Sequence, residues 1–306
     1  MPAVLQLAVQ TLLAVLLAPA LFGVIGRTKA FFAGRTGAPL WQPYFDLVKL
    51  LRKRTVLSST STWVFLAGPA ALAAAALLGV ALMPLGPGAA PVAFGGDAVL
   101  FVYALALGRF LLALSALDTG SSFEGLGASR EVSFAALAEP ALFFGFLALA
   151  RLSGSFSLSG MLDRPLLVRW PDGGPAVALI AAGWFLVLLA ENSRVPFDDP
   201  STHLELTMIH EVMILDHSGP ALGLVLWASM LKFLLFAALL VRLLLPVGES
   251  DAAVYAAGLV VGLLLVALAV GVVESSLARL RLVRVPQLLV SACLLCAFAF
   301  LLAARS

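Results

Sequence analysis

Along the chain, polarity is confined to short stretches that separate long apolar runs, each close to the roughly 20 residues that cross a hydrocarbon core of about 30 Å as a helix. Pro, Gly and a few charged residues punctuate about eight such runs, which the pattern places at 3–25, 62–84, 98–118, 132–150, 175–190, 221–245, 252–273 and 287–303. After the first run, Phe45, Leu47, Val48, Leu50 and Leu51 recur at helical spacing around Asp46 and Lys49. That spacing predicts a surface helix, either resting in lipid headgroups or closing the side of a cavity. The expected fold is all-α: a polytopic membrane protein of about eight transmembrane helices with a lateral amphipathic helix after the first, one integral membrane domain over 1–306.

Composition agrees. With 62% hydrophobic and 12% charged residues and a mean hydropathy of +1.06, a water-soluble domain is excluded. Ala18-Pro19-Ala20 looks like a signal cleavage site, but no basic residue precedes it, so the first run is read as a retained span. Leaving aside Arg109 and Lys232 at depth, 12 of the Lys and Arg residues fall in the connections at about 26–61, 119–131, 191–220 and 274–286, and five on the opposite side, Arg242 at the end of its run included. Those four loops are therefore expected to be cytoplasmic in a cell (plasma or inner) membrane, with both termini outside. A net charge of +2 distributed this way is a topology signal, and no basic stripe or motif supports nucleic-acid binding.

Polarity concentrates in one stretch, Glu191 to Gly219, with six acids (Glu191, Asp198, Asp199, Glu205, Glu211, Asp216), all three histidines (His203, His210, His217) and a single cation, Arg194. A connection of this length is more often functional or interfacial than filler. Clustered carboxylates cannot all stay ionised, and histidines titrate near neutrality, so Glu191, Asp198, Glu205, Glu211, His203 and His210 are expected to form a proton relay. The alternative is an acidic docking surface for a basic partner. Inside the runs stand Arg109, Glu139 and Lys232, and charges at such depth usually face a bundle interior. At about 1.5 Å per residue Arg109 and Glu139 reach similar depth, so they form either a fixed ion pair or, with Lys232, an intramembrane ion track.

Metal and catalytic motifs are not found. His210-Glu211 lacks the second histidine of a zinc-protease pattern, Cys293 and Cys296 sit in the apolar last run where core packing is the expected role, and two cysteines cannot hold an iron–sulfur cluster. No catalytic centre and no metal site is expected in this chain.

Four stretches carry a family resemblance: PLWQPYFDLVKLLRK (39–53), LDTGSSFEGLGASRE (117–131), ENSRVPFDDP followed by Glu205-Leu206 (191–206), and ESSLARLR (274–281). Together they resemble the membrane subunit shared by energy-converting [NiFe] hydrogenases, the formate hydrogenlyase subunit 4 family, and respiratory complex I, where the homologue is subunit 1, which walls the quinone chamber. LDTG, GASRE and LARLR are similar to the hydrogenase branch. Three features depart from the pattern: Gly34–Pro39 is shorter than the Arg-Pro-Gly-Pro-rich run of the complex I branch, His203 stands where a carboxylate is usual, and the stretch from Leu206 to Ser218 is longer, carrying His210 and His217.

The resemblance implies a non-catalytic anchor and coupling subunit of a redox-driven proton or sodium pump. It implies no cofactor in this chain, with iron–sulfur clusters and NiFe in partner subunits: hydrogenase-like large and small subunits, a ferredoxin-like iron–sulfur subunit and antiporter-like membrane subunits. Arg35, Asp46, Lys49, Asp118, Arg130, Glu131, Arg194, Glu274, Arg279 and Arg281 would then dock the redox module. The alternatives are a stand-alone secondary transporter and a quinone-binding complex I-type subunit.

Overall fold

A computed structural model describes residues 3–163, 170–198, 208–245 and 252–305. Over these residues the chain is helical, with no strand: α1 (Ala3–Phe32), α2 (Gln42–Leu51), α3 (Trp63–Leu82), α4 (Asp97–Asp118), α5 (Ser122–Ser153), α6 (Leu158–Leu162), α7 (Trp170–Glu191), α8 (His210–Met213), α9 (Gly219–Leu244), α10 (Ala252–Ser276), and a 3₁₀ turn at Leu282–Arg284 leading into α11 (Val285–Ala303). Eight of these (α1, α3, α4, α5, α7, α9, α10 and α11) are long and apolar enough to cross a membrane. The outer faces carry exposed Leu12, Leu107, Leu265 and Leu301, an apolar surface suited to lipid and a liability in water. The protein is a multi-pass membrane protein.

Helix α9 is the central pillar. Every residue from Met230 to Leu243 is buried, Lys232 and Arg242 included, because neighbouring helices surround it and its sequence is apolar nearly all round. α3 and α4 pack together on one side of it, α1 and α10 on another, and α5, α7 and α11 form a third group. Helix α2 forms where the periodicity predicts, opened by Pro43 in its first turn, and lies against α9 and α1. The Tyr44 hydroxyl donates to the Leu16 carbonyl of α1.

The chief difference from expectation is α5. Residues 122–131, expected as loop, are its first turns. Gly127 serves close packing within that helix: a Cβ at that position would lie 2.9 Å from the Ile209 carbonyl and 3.0 Å from the Met213 side chain of α8. Glu124 in the first turn complements the positive end of the helix. α1 likewise runs seven residues beyond its expected end at 25, to Phe32.

Candidate functional site

The charged residues inside the bundle meet. Arg109, buried on α4, donates from Nη1 to both carboxylate oxygens of Glu191 at 2.6 Å, and from Nη2 to Glu139 on α5. Lys232 on α9 places Nζ 3.0 Å from Glu191 Oε2. Glu191, expected in the loop, is instead the last residue of α7 and buried. A single cluster therefore ties α4, α5, α7 and α9. Isolated charges in a low-dielectric interior are costly, and this mutual pairing is what makes them tolerable.

Beyond Glu191 the chain is held by a second set of contacts. Asp198 is buried; Oδ2 accepts the Ile209 and His210 amides at 3.0 and 3.2 Å, which anchors the start of α8, and Oδ1 pairs with Arg279 Nη2 at 2.9 Å. Arg194 Nη1 lies 3.2 Å from Glu274 Oε1, its guanidinium 4.2 Å above the Phe22 ring. Lys29 Nζ reaches Glu274 Oε2 at 3.0 Å, an ion pair without hydrogen-bond alignment. The Leu280 amide donates to the Pro196 carbonyl at 2.9 Å.

Nearby, Glu124 Oε1 accepts the Asp216 amide at 2.9 Å. The Val56 amide donates to Ser218 Oγ at 2.9 Å, and Asp118 accepts from Thr62 through its amide at 2.6 Å and its hydroxyl at 2.8 Å. The connections expected on one side thus touch one another at one end of the bundle.

Two histidines are kept neutral there. Burial pushes His210 and His217 below the ordinary imidazole range. His217 stacks on Phe65, ring centroids 4.1 Å apart. Ser115 Oγ donates to the Phe65 carbonyl at 2.7 Å, so its remaining role toward His217 Nε2, 3.2 Å away, is as acceptor, and the ring proton sits on Nε2.

The expected site residues divide. Arg109, Glu139, Lys232 and Glu191 form one cluster, and Asp198 and His210 touch. Glu211 is half-buried on α8, while Glu205 and His203 lie outside the described residues. Of the expected docking residues, Arg35, Asp46, Lys49 and Arg281 are exposed; Asp118, Arg130 and Arg279 are half-buried, Arg130 Nη1 donating to the Met208 carbonyl at 2.9 Å. Glu131, Arg194 and Glu274 do not reach that surface. Arg194 and Glu274 are buried against each other, and Glu131 points inward beside Arg109 and Glu191.

Sequence reasoning missed the site role of Glu124 and Glu131. The signal was available: Glu124, Glu131 and Glu139 are spaced seven and eight apart, one stripe on a helix. Assigning 119–131 to a loop cut that stripe.

Two small cavities flank the cluster, of about 20 and 30 Å³, each room for one or two waters. A larger apolar chamber of about 720 Å³ lies between α1, α2, α9 and α10, with Trp41 and Tyr44 at its margin. On its wall Gln10 donates to the carbonyls of Val80 and Met83, and Gln6 donates to the Ala89 carbonyl. Among the described residues no group of three or more His, Cys, Asp or Glu could hold a metal ion.

The sequence profile of the NADH dehydrogenase family matches residues 5–305. The chain belongs to the NADH dehydrogenase family. Among its family relatives, hydrogenase-4 component C of Escherichia coli (strain K12) is 35% identical over 279 residues, 89% of this chain and 87% of that protein. Formate hydrogenlyase subunit 4 of the same organism is 32% identical over 289 residues, 92% of each. An NADH-quinone oxidoreductase subunit of Anaplasma phagocytophilum (strain HZ) is 32% identical over 223 residues, 67% of this chain and 63% of that one. The fold matches a chain of the solved membrane-bound sulfane sulfur reductase, an archaeal respiratory membrane complex, with a TM-score of 0.79 at 19% identity, covering 99% of this chain and 100% of that one.

Proposed function

We propose that this chain is the membrane subunit of a complex I-like redox complex, coupling electron transfer in a docked soluble module to proton or sodium movement. The observation that carries this reading is the Arg109–Glu139–Glu191–Lys232 cluster, buried but for the edge of Glu139, which runs by way of the end of α7 to the Asp198 and His210 contacts at one end of the bundle. A change of charge or geometry in a module seated on that end would be felt by Asp198, and through the cavity beside it by Glu191. Glu205, His203 and Glu211 of the same connection would share the relay. The chain itself supplies ion-handling side chains, and its partners supply the redox centres: hydrogenase-like subunits and a ferredoxin-like subunit carrying iron–sulfur clusters and NiFe. Arg35, Asp46, Lys49 and Arg281 are the exposed charges for docking, on a face we assign to the cytoplasm.

Glu139 adds a reason to expect a membrane partner. Its side chain is 26% exposed at membrane depth, where an uncovered carboxylate is costly, so an antiporter-like subunit packed there would complete its surroundings. The test is Glu139→Gln in the purified complex reconstituted in vesicles. The amide conserves volume and removes the ionisable group. Ion movement per electron is expected to fall tenfold or more with assembly intact; wild-type ion movement would return the pair to a structural role.

A second reading, a quinone-binding subunit, is favoured by the apolar chamber, whose walls suit an isoprenoid tail. With both N–H groups of Gln10 engaged elsewhere, it would hold a tail without a head-group donor from that side chain. Labelling of α1 or α2 by a photoreactive quinone, competed by unmodified quinone and not by phospholipid, would support it.

A further inference from the structure

The cluster does not balance. It contains two cations, Arg109 and Lys232, and three carboxylates, Glu131, Glu139 and Glu191. If all five were ionised, one negative charge would remain in a region that solvates it poorly, and a buried group in that position neutralises by taking up a proton. The contacts say which one. Glu191 is held by both cations and Glu139 by Arg109, whereas Glu131 makes no hydrogen bond or ion pair among the described residues.

Its surroundings fit that difference. Glu131 is buried on α5, one stripe position from Glu139, and lines both small cavities. The first cavity also touches Ser193 and Asp198; the second also touches His210, Ser229 and Lys232. Glu131 therefore stands at the junction between the loop contacts and the intramembrane cations.

None of the other ionisable groups packed there forms an ion pair with Glu131. Asp198 is paired with Arg279, Arg194 and Lys29 are both turned to Glu274, Glu211 beside His210 is itself an acid, and burial holds His210 below the ordinary imidazole range.

We propose that Glu131 holds the single exchangeable proton of this cluster, exchanging it with water in the two flanking cavities. Uptake forms one O–H bond on the carboxylate and breaks one on a hydronium ion that reaches the cavity, leaving neutral water; release reverses it, and no electron moves. Such a site would let the cluster change its net charge by one without breaking the Arg109 and Lys232 pairs that tie four helices. The inference deepens the coupling role proposed above and rests on it for its purpose, but not for its test.

The test is infrared difference spectroscopy of the intact detergent-solubilised complex across a pH change, in H₂O and D₂O. The wild type is expected to show the carbonyl band of a protonated carboxylic acid, shifted by deuterium. Glu131→Gln should abolish that band with an unchanged melting temperature, since it replaces a neutral acid by a neutral amide, whereas Glu139→Gln should retain it. A band that survives in Glu131→Gln, or is lost in Glu139→Gln instead, or is missing from the wild type, would overturn the assignment. Because protonation is read without ion movement, absence of the band beside normal pumping sinks this inference alone. A present band without pumping sinks the coupling role and leaves the proton site standing.

Discussion

At the scale of single residues, many of the buried charges here are held by a partner of opposite sign, while His217 is a ring the fold keeps neutral. The sign of its effect on stability follows. Its folded pKa lies below the ordinary 6.5, so on acidification the unfolded chain takes up a proton before the folded one does. Stability from the neutral ring is full above pH 6.5 and is lost as pH falls from there toward the folded pKa, at up to about 1.4 kcal/mol per pH unit. His210 should act in the same direction. His217→Phe, which keeps a stacked ring on Phe65, is therefore expected to lose less thermal stability than wild type between about pH 7 and pH 5. Equal losses in the two proteins would show that the ring is not what senses acid.

At the scale of elements, Arg109 is the tie among helices. It joins α4 to α5 and α7 directly, and to α9 through Glu191 and Lys232. Arg109→Ala leaves Glu139 without its cation and Glu191 with one of two, so a loss of about 3 to 5 kcal/mol is expected, as for breaking a buried pair from one side. Melting of the purified protein measures it. A drop under about 1 kcal/mol would mean that water already screens the cluster. Arg109→Lys keeps the charge but cannot span both carboxylates with a planar fork, and should fall between. The periodicity of α5 was legible only in part for the same kind of reason. Gly125, Gly127 and Ser129 suggest a loop locally, and only α8 lying against Gly127 shows why small residues are wanted inside a helix.

At the scale of the whole molecule, four connections meet at one end, joined by the Val56–Ser218, Thr62–Asp118, Pro196–Leu280 and Asp198–Arg279 contacts. From the excess of Lys and Arg in these connections we propose that this end faces the cytoplasm. Single cysteines at exposed Lys53 and Arg281 are therefore expected to react with an impermeant maleimide in inverted vesicles and not in intact cells. Labelling of either from outside would reverse the orientation and, with it, the side proposed for a redox module.

The sequence by itself determined the class and the number of spans, because apolar run length is a local property that the bilayer reads directly. It also located the family motifs and the depth of Arg109, Glu139 and Lys232. The Arg109–Glu139 pair was within reach of the sequence, but tertiary structure decided the other partners. Glu191 and Glu131 were read as loop acids, for relay and docking, until neighbouring helices closed over them. Arg194, a lone cation among acids, turned inward because Glu274 and the Phe22 face come from α10 and α1, distant in sequence. Charge pairing in a membrane interior depends on which helices are adjacent, and adjacency is written in packing between helices rather than in any one of them.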